Sequence, residues 1–235
     1  MHDSRRIYKD GTPSYNKIME GINLLGLLGM PVSIRMNVDK TNGSNIEQAI
    51  RELADNMAEK PNVCLSLVED SNCNGDCTTM YNYFEATKLL DNLGYFSQDI
   101  DEKFNINIKP IKQIKHLLFK ELPFPRFKFC RMSELYVFSP DGGIYNCPQA
   151  CDNNKLKVGE YWPNRIVDKE TIYQRHGFSA LEIQMCKECS LAPICGGGCY
   201  AKRAYSFPQK ICYKDELMDT LKYIFEKMVS SNDKV

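Results

Sequence analysis

Net charge is the first thing that this sequence lacks. Its 30 basic and 30 acidic residues cancel, so electrostatics gives no general reason to expect a nucleic acid or an anionic membrane as a partner. No stretch approaches the roughly twenty consecutive apolar residues of a membrane-spanning helix, and the N-terminus lacks the apolar segment of a secretory signal. We therefore expect a cytoplasmic protein that binds neither nucleic acid nor membrane.

The sequence also lacks the short motifs of several large enzyme classes. No G-x-S-x-G, Walker or dinucleotide-binding fingerprint is present. Histidine is scarce, and the three that occur, His2, His116 and His176, are scattered along the chain. Any metal chemistry must therefore rest on another residue type.

Cysteine is that residue type. The chain has 11 cysteines, an odd number, and in a reducing compartment clustered thiols are better metal ligands than disulfide partners. Cys186, Cys189, Cys195 and Cys199 form the run C-x2-C-x5-C-x3-C, and the glycines at Gly196–Gly198 let the backbone pass close to a bulky inorganic group. The run predicts thiolate ligation of one or two metal centres, with iron-sulfur chemistry favoured.

Cysteines outside the run extend the set. The residues around the turn Pro140–Gly143 predict a β-hairpin that brings Cys130 and Cys147 together. With Cys212 the count reaches seven, whereas a zinc site needs four thiolates and two cubane clusters need eight, or seven with one iron ligated differently. Cys151 is a candidate for the eighth ligand.

The first part of the chain alternates between helical and strand patterns, which predicts an α/β fold with a parallel sheet. The expected elements are a helix capped by Ser14, a strand over 31–39, a helix opened by the capping box Ser44-x-x-Glu47, a strand over 63–68, a helix over 79–93 and a short strand over 104–108. The strand over 31–39 has a polar face that carries Arg35 and Asn37. Pattern alone leaves this face either at a wet sheet edge or inside a barrel.

The composition changes near residue 110, where prolines punctuate the chain. We predict a domain boundary there, with residues 1–110 in the α/β part. Residues 111–235 are expected to form a loop-rich α+β domain that contains the hairpin and a final helix over 214–228.

The complete cysteine spacing resembles the SPASM domain, the auxiliary-cluster module of radical S-adenosylmethionine enzymes that modify peptides and proteins. Cys130-x11-Gly142-x4-Cys147, the four-cysteine run and Cys212 all match. The resemblance implies two auxiliary 4Fe-4S clusters with separate ligand sets. These sets are Cys130, Cys147 and Cys199, with Cys151 as candidate fourth ligand, and then Cys186, Cys189, Cys195 and Cys212.

The likeness continues upstream. His2-Asp3-x-Arg5-Arg6 and Ile34-Arg35-Met36-Asn37 resemble the later part of the radical-enzyme barrel. The resemblance implies a fold made of the C-terminal part of a partial (β/α) barrel followed by a SPASM domain. It also makes Arg35 and Asn37 candidates for contacts with S-adenosylmethionine, which favours the barrel-interior position for both residues.

Two departures limit what the resemblance implies. The radical motif C-x3-C-x2-C is absent: Cys73-x3-Cys77 begins correctly, but Met80 stands where the third thiolate belongs. We therefore expect Cys73 and Cys77 to be loop residues and this sequence to match the C-terminal part of a longer enzyme. In the sulfatase-maturating branch an Asp follows the second SPASM cysteine, whereas this chain has Pro148, which disfavours that branch. The segments 136–142 and 158–161 more closely resemble those of maturases of ribosomally made peptides.

Three hypotheses follow. The leading one is the C-terminal portion of a radical S-adenosylmethionine enzyme that modifies a peptide or protein, with a reductant such as flavodoxin or ferredoxin as a further partner. Its two auxiliary clusters would accept an electron or bind a substrate thiolate. A stand-alone iron-sulfur electron carrier or substrate-docking protein is the second hypothesis, and a zinc-stabilised structural domain is the third.

Overall fold

The computed structural model describes residues 2–57, 62–68, 77–96, 105–106, 108–119, 125–130, 135–148, 151, 153–205 and 212–232. The chain divides into two compact units. The first comprises Met1–Val68 and Thr79–Ile108, and the second comprises Glu69–Thr78 and Lys109–Val235.

Nine helices and seven strands make up the regular structure of the described residues. The helices are α1 (Tyr15–Leu27), α2 (Ile46–Asn56), α3 (Tyr83–Asn92), α4 (Lys109–Phe119), α5 (Lys169–Gly177), α6 (Gln184–Lys187), α7 (Ala192–Cys195), α8 (Tyr200–Tyr205) and α9 (Lys214–Asn232). The strands are β1 (Ser33–Val38), β2 (Asn62–Leu67), β3 (Asn105–Ile106), β4 (Val137–Phe138), β5 (Gly143–Tyr145), β6 (Lys157–Glu160) and β7 (Ile166–Val167).

The first unit is built on an open parallel sheet. Its strands lie in the order β1-β2-β3, and Arg35 of β1 pairs with Cys64 of β2. The helices α2 and α3 lie between successive strands in the sequence, and their apolar residues Ile46 and Leu90 are buried with Val63 of the central strand. The predicted alternation of helices and parallel strands is confirmed, because these segments carry the periodicities of half-buried helices and strands. The described strands do not close into a barrel.

One predicted helix cap is confirmed in position and the other is wrong. Ser14 is the N-cap residue of α1, but its hydroxyl donates to the Arg6 carbonyl, and the Asp3 carboxylate accepts from the backbone N–H groups of Ser14 and Tyr15. The orphan N–H groups of a helix start need an acceptor of any origin, and here a residue distant in sequence supplies it. The predicted Ser44 capping box is absent, since a 3-10 turn over Gly43–Asn45 precedes α2.

The polar end of β1 is fixed by an ion pair. Asp39 is buried and accepts from the Arg5 guanidinium at 2.9 Å, and the Thr41 hydroxyl and backbone N–H donate to the same carboxylate. The Arg5 hydrogen bond, together with these Thr41 donors, lowers the pKa of Asp39 to about 2 in spite of its burial.

The α1 helix is much less covered than its apolar sequence predicts. Met19 is buried, whereas Ile18 and Leu24 are exposed and Leu27 is 77% exposed. Helical periodicity identifies an apolar face but does not say whether another element covers it.

The second unit contains an antiparallel sheet in the order β4-β5-β6-β7. The predicted hairpin is confirmed: Phe138 pairs with Ile144 across a turn in which Gly142 has φ 85°. A side chain at Gly142 would lie 2.5 Å from the Trp162 carbonyl oxygen, so this turn requires glycine both for its conformation and for its close packing. The final helix begins at Lys214 as expected and runs to Asn232.

A buried arginine connects α5 to β6. Arg175 is 4% exposed, and its guanidinium donates to the Leu156 carbonyl at 2.7 Å and to the carbonyls of Lys155 and Lys157 at 3.3 and 3.4 Å. Carbonyl oxygens satisfy a buried cation only in part, and the Arg175 Nε atom has no hydrogen-bond partner among the residues that the structure describes.

None of the described helices is both long enough and apolar enough to cross a membrane.

Candidate metal centre

Four of the predicted ligands line one cavity in the second unit. Cys186, Cys189, Cys195 and Cys212 surround a space of about 360 Å³, which we call the wide thiol cavity. Its other lining residues are Met185, Glu188, Leu191, Ala192, Gly197, Arg203, Tyr213 and Lys214. The four cysteines come from three separate segments of the chain, so the fold rather than one short loop assembles them.

Two short helices place the first three of these thiols. The backbone N–H of Cys189 donates to the Cys186 carbonyl, which closes the turn after α6. The N–H of Cys195 donates to the Leu191 carbonyl at the end of α7. These tight turns bring thiols that are three and six residues apart to the same side of the backbone, as metal-binding loops require.

The glycine run then carries the chain past the cavity. Gly196, Gly197 and Gly198 have φ angles of 70°, 82° and 79°, a left-handed conformation that disfavours side chains. A Cβ at Gly196 would lie 2.6 Å from the Lys128 carbonyl carbon, and one at Gly197 would lie 2.9 Å from Ile183. The backbone N–H groups of Gly197 and Gly198 donate to the Cys195 sulfur.

Burial favours the neutral form of two thiols in the wide cavity, Cys186 and Cys195. Desolvation raises the pKa of Cys195 and of Cys186, and the proximity of the other thiols raises both further. The N–H groups of Gly197 and Gly198 and the Arg203 guanidinium act in the opposite direction, on Cys195 and Cys186 respectively. Ligation requires thiolates, so a cation bound here would displace protons from thiols that are otherwise protonated.

The remaining predicted ligands form a second set, Cys130, Cys147, Cys151 and Cys199, which we call the packed thiol group. Cys199 is 9% exposed and is clustered with Leu156 and Ala201, with Cys147 and Phe129 packed against them. The Cys151 sulfur lies 3.6 Å from the Cys147 carbonyl oxygen, and the Cys130 thiol is close enough to raise the pKa of Cys199, although desolvation is the larger cause.

A small cavity lies beside one member of the packed thiol group. Cys130 lines it together with Lys128, Arg175 and Tyr200, and its volume is about 10 Å³, which is the size of a single water molecule. No other described thiol lines this cavity.

The donor set of the wide cavity is four thiols. Among the residues that the structure describes, no three Cys, His, Asp or Glu side chains converge closely enough to hold a single metal ion. Four thiolates are the donor set of a cubane cluster, in which each thiolate binds a different iron, and of a zinc ion, whose four ligands meet at one atom.

Arg126 lies near both thiol sets. Its guanidinium donates to the Phe129 carbonyl at 2.9 Å, and its backbone N–H donates to the Pro193 carbonyl at 2.7 Å. Burial lowers the pKa of Arg126, and the thiols of Cys130 and Cys195 oppose that effect. The guanidinium is thus a fixed positive charge adjacent to one thiol of each set.

The other predicted site residues lie in the first unit or outside the described residues. Arg35 and Asn37 are exposed on β1, an edge strand of the described sheet, and the Arg35 Nε atom donates to the Asn37 side chain at 3.2 Å. Cys64 is partly buried in β2, in agreement with a small core residue. Cys73 lies outside the described residues, and Cys77 begins a 3-10 turn.

Sequence reasoning missed Arg126 and Arg203. Arg203 follows Cys199 by four residues, a spacing that places both on one face of a helix. That spacing was the available signal. Arg126 stands outside every cysteine motif, and only the folded chain brings it to the thiols.

The comparisons with known proteins gave matches among solved structures. No protein-family model and no curated protein sequence matches the chain. Solved structures of anSMEcpe, an anaerobic sulfatase-maturating enzyme of the radical S-adenosylmethionine/SPASM class, do match. The structure with bound AdoMet has a TM-score of 0.64 at 15% identity, covering 100% of this chain and 65% of that one.

Two further structures of the same enzyme give similar values. With AdoMet and the Kp18Cys peptide the TM-score is 0.64 at 15% identity, covering 100% of this chain and 66% of that one. With AdoMet and the Cp18Cys peptide it is 0.63 at 15% identity, covering 99% and 66%. This chain therefore has the fold of these enzymes over about two thirds of their length.

Proposed function

We propose that this chain is the auxiliary-cluster portion of a radical S-adenosylmethionine/SPASM enzyme that modifies a peptide or protein. In this proposal, residues 1–110 form the end of a partial (β/α) barrel and residues 111–235 form the SPASM domain. The chain holds two 4Fe-4S clusters, one in the wide thiol cavity and one at the packed thiol group.

One observation carries the proposal. The four cysteines that the family resemblance assigns to one cluster, Cys186, Cys189, Cys195 and Cys212, line the same cavity. Cys212 lies thirteen residues beyond Cys199 in the sequence. A chance pattern of cysteines gives no reason for it to line the same cavity as the other three.

The chain's own residues perform three tasks at this cavity. The cysteines supply the thiolates, the backbone N–H groups of Gly197 and Gly198 stabilise the Cys195 thiolate by hydrogen bonds, and Met185 and Leu191 provide apolar walls. When bound, the clusters supply electron acceptance or an iron site for a substrate thiolate. Hydrogen bonds and burial of this kind set the reduction potential of an iron-sulfur centre.

The substrate is proposed to be a peptide, and S-adenosylmethionine is proposed to bind in the complete enzyme. Two of the matching anSMEcpe structures carry bound peptides, which supports this class of substrate. Arg35 and Asn37 present a guanidinium and an amide on one exposed strand face, a pair that suits the carboxylate of S-adenosylmethionine. We further propose a flavodoxin or ferredoxin as reductant.

The position after Cys147 argues for a different branch from that of the matching structures. Pro148 is exposed, and its side chain has no group that can accept a proton. It therefore cannot act as a base in the place of an acidic residue. A likeness of 15% identity concerns the fold, and we therefore keep the prediction of a peptide maturase outside the sulfatase-maturating branch.

A stand-alone electron carrier remains the second candidate function, because the 235 residues contain no C-x3-C-x2-C motif. The coding DNA upstream of Met1 distinguishes the two. An in-frame C-x3-C-x2-C segment, or a neighbouring gene that encodes one, supports the enzyme. A start at Met1 with no such neighbour overturns the enzyme proposal in favour of the carrier.

A further inference from the structure

Arg203 is the arginine that lines the wide thiol cavity. It lies on α8, where its backbone N–H donates to the Cys199 carbonyl at 3.1 Å. Its Nε atom donates to the Gly197 carbonyl at 2.9 Å. The Arg203 side chain thus extends from α8, the helix that follows Cys199, to the glycine turn beside the wide cavity.

The hydrogen bond to Gly197 has a structural consequence. The same turn points the N–H groups of Gly197 and Gly198 at the Cys195 sulfur. The three successive residues of the turn are glycines with positive φ angles. Because glycine has no Cβ, the turn has few conformational restraints of its own. The Arg203 guanidinium provides one by holding the Gly197 carbonyl on the side away from the sulfur.

The charge of Arg203 has an electrostatic consequence. Glu188 and Lys214 are the other charged residues that line the cavity. Lys214 is exposed at the start of α9, whereas Arg203 is half-buried and fixed by its bond to Gly197. A fixed and partly desolvated charge acts more strongly on a neighbouring centre than a solvated one.

We propose that Arg203 is the positioning residue that raises the reduction potential of the cluster in the wide thiol cavity. A nearby positive charge stabilises the reduced state, which carries one more electron than the oxidised state. This inference rests on the proposed function, since it requires that a cluster occupies the cavity.

The test uses three variants of the full chain, each loaded with iron and sulfide without oxygen. Arg203→Gln keeps an N–H donor and removes the charge, and Arg203→Lys keeps the charge and changes the donor. Lys187→Gln removes the same charge from an exposed residue that neighbours Cys186 but does not line the cavity. The readouts are iron per chain and the midpoint potential of each cluster, followed by electron paramagnetic resonance.

We expect Arg203→Gln to lower the ratio of reduced to oxidised cluster about tenfold at a fixed ambient potential, which corresponds to ~59 mV for one electron. Only one of the two clusters should respond, Arg203→Lys should respond less, and Lys187→Gln should match the wild type. Unchanged potentials in Arg203→Gln would overturn the inference, as would an equal shift in Lys187→Gln or in Arg203→Lys.

Loss of iron is also decisive. If Arg203→Gln binds no iron, an Arg203→Lys variant with wild-type iron and potential supports the role of the charge. Loss of iron in both variants overturns that role and leaves a purely structural one. A wild-type chain that forms no cluster at all refutes the proposed function itself, so the two failures are distinguishable.

Discussion

The two groups of cysteines in the second unit differ in their surroundings. The wide thiol cavity has four thiols around about 360 Å³, and Cys212 at its edge is exposed. In the packed thiol group, Cys199 is buried among apolar side chains, and Cys130 lines a cavity of about 10 Å³. The spacing of the cysteines in the sequence does not distinguish the two sets, whereas their surroundings in the folded chain do.

The difference shows what each site requires for metal binding. In the wide cavity the chain already holds the volume open with two short helices and a glycine turn, so that ligation costs mainly the protons of the thiols. In the packed group, Cys199 lies among buried apolar side chains, and dense packing resists the movement that metal entry at this residue would require. We therefore expect a cluster to assemble more readily in the wide cavity than at the packed thiol group. Assembly in the wide cavity should not depend on the packed thiol group.

The largest expected effect comes from removing a ligand of the wide cavity. Cys189→Ala should lose about half of the bound iron and destabilise the second unit, because cluster binding and folding are coupled. Iron per chain and thermal unfolding measure both effects. Cys64→Ala, at a partly buried cysteine of the first unit, is the matched control and should keep all of its iron. Full iron content in Cys189→Ala would remove Cys189 from the ligand set.

The next effect is kinetic. When iron and sulfide are added to the apo-protein, absorbance near ~400 nm, which is typical of thiolate-ligated iron clusters, should rise in two phases. The fast phase belongs to the wide cavity and the slow phase to the packed group. In Cys199→Ala only the fast phase should remain. A single phase in the wild type, or loss of the fast phase in Cys199→Ala, would contradict the distinction between the sites.

A smaller effect is expected at the glycine turn. Gly196→Ala should destabilise the second unit by about 2 kcal/mol, since it combines left-handed backbone strain with a Cβ that lies 2.6 Å from the Lys128 carbonyl carbon. Gly21→Ala is the control, because no atom of the described residues outside its own helix backbone lies within 4 Å of its Cβ position and alanine favours a helix interior by roughly 0.5–1 kcal/mol. Unfolding by urea measures both variants. Equal stability of Gly196→Ala and the wild type would show that the turn tolerates a side chain.

Sequence reasoning found one thiol site more fully than it found the rest of the molecule. The C-x2-C-x5-C-x3-C spacing predicted that Cys186, Cys189 and Cys195 lie together, because short turns bring these thiols together and such turns are determined by the local sequence. It could not foresee that Cys199 packs against Leu156, since that contact depends on tertiary structure. The Asp3 cap of α1 is invisible for the same reason.

The smallest expected effect concerns the stability of the first unit, which contains none of the proposed ligands of the two thiol sites. The pKa of Asp39 in the folded chain is about 2, below the ordinary 3.8, so ionised Asp39 stabilises the fold above about pH 4, and this stabilisation is lost as the pH falls toward 2. Asp39→Asn should therefore be less stable than the wild type at pH 6, and the difference should narrow by pH 3. Urea unfolding at the two pH values measures it.

Iron content supplies the control for this variant. Because Asp39 belongs to the first unit and the thiols to the second, Asp39→Asn should bind as much iron as the wild type at pH 7. A difference in stability that is the same at both pH values would refute the role of the Asp39 charge. Loss of iron would show that the thiol sites depend on the first unit.

The most direct test of the central claim is the joint measurement of iron, acid-labile sulfide and zinc in wild-type protein that has been purified without oxygen. We expect about eight iron and eight sulfide per chain, as two 4Fe-4S clusters require, with little zinc. Two or more zinc ions per chain and no labile sulfide would contradict it and would make the wide thiol cavity part of a zinc-stabilised structural domain.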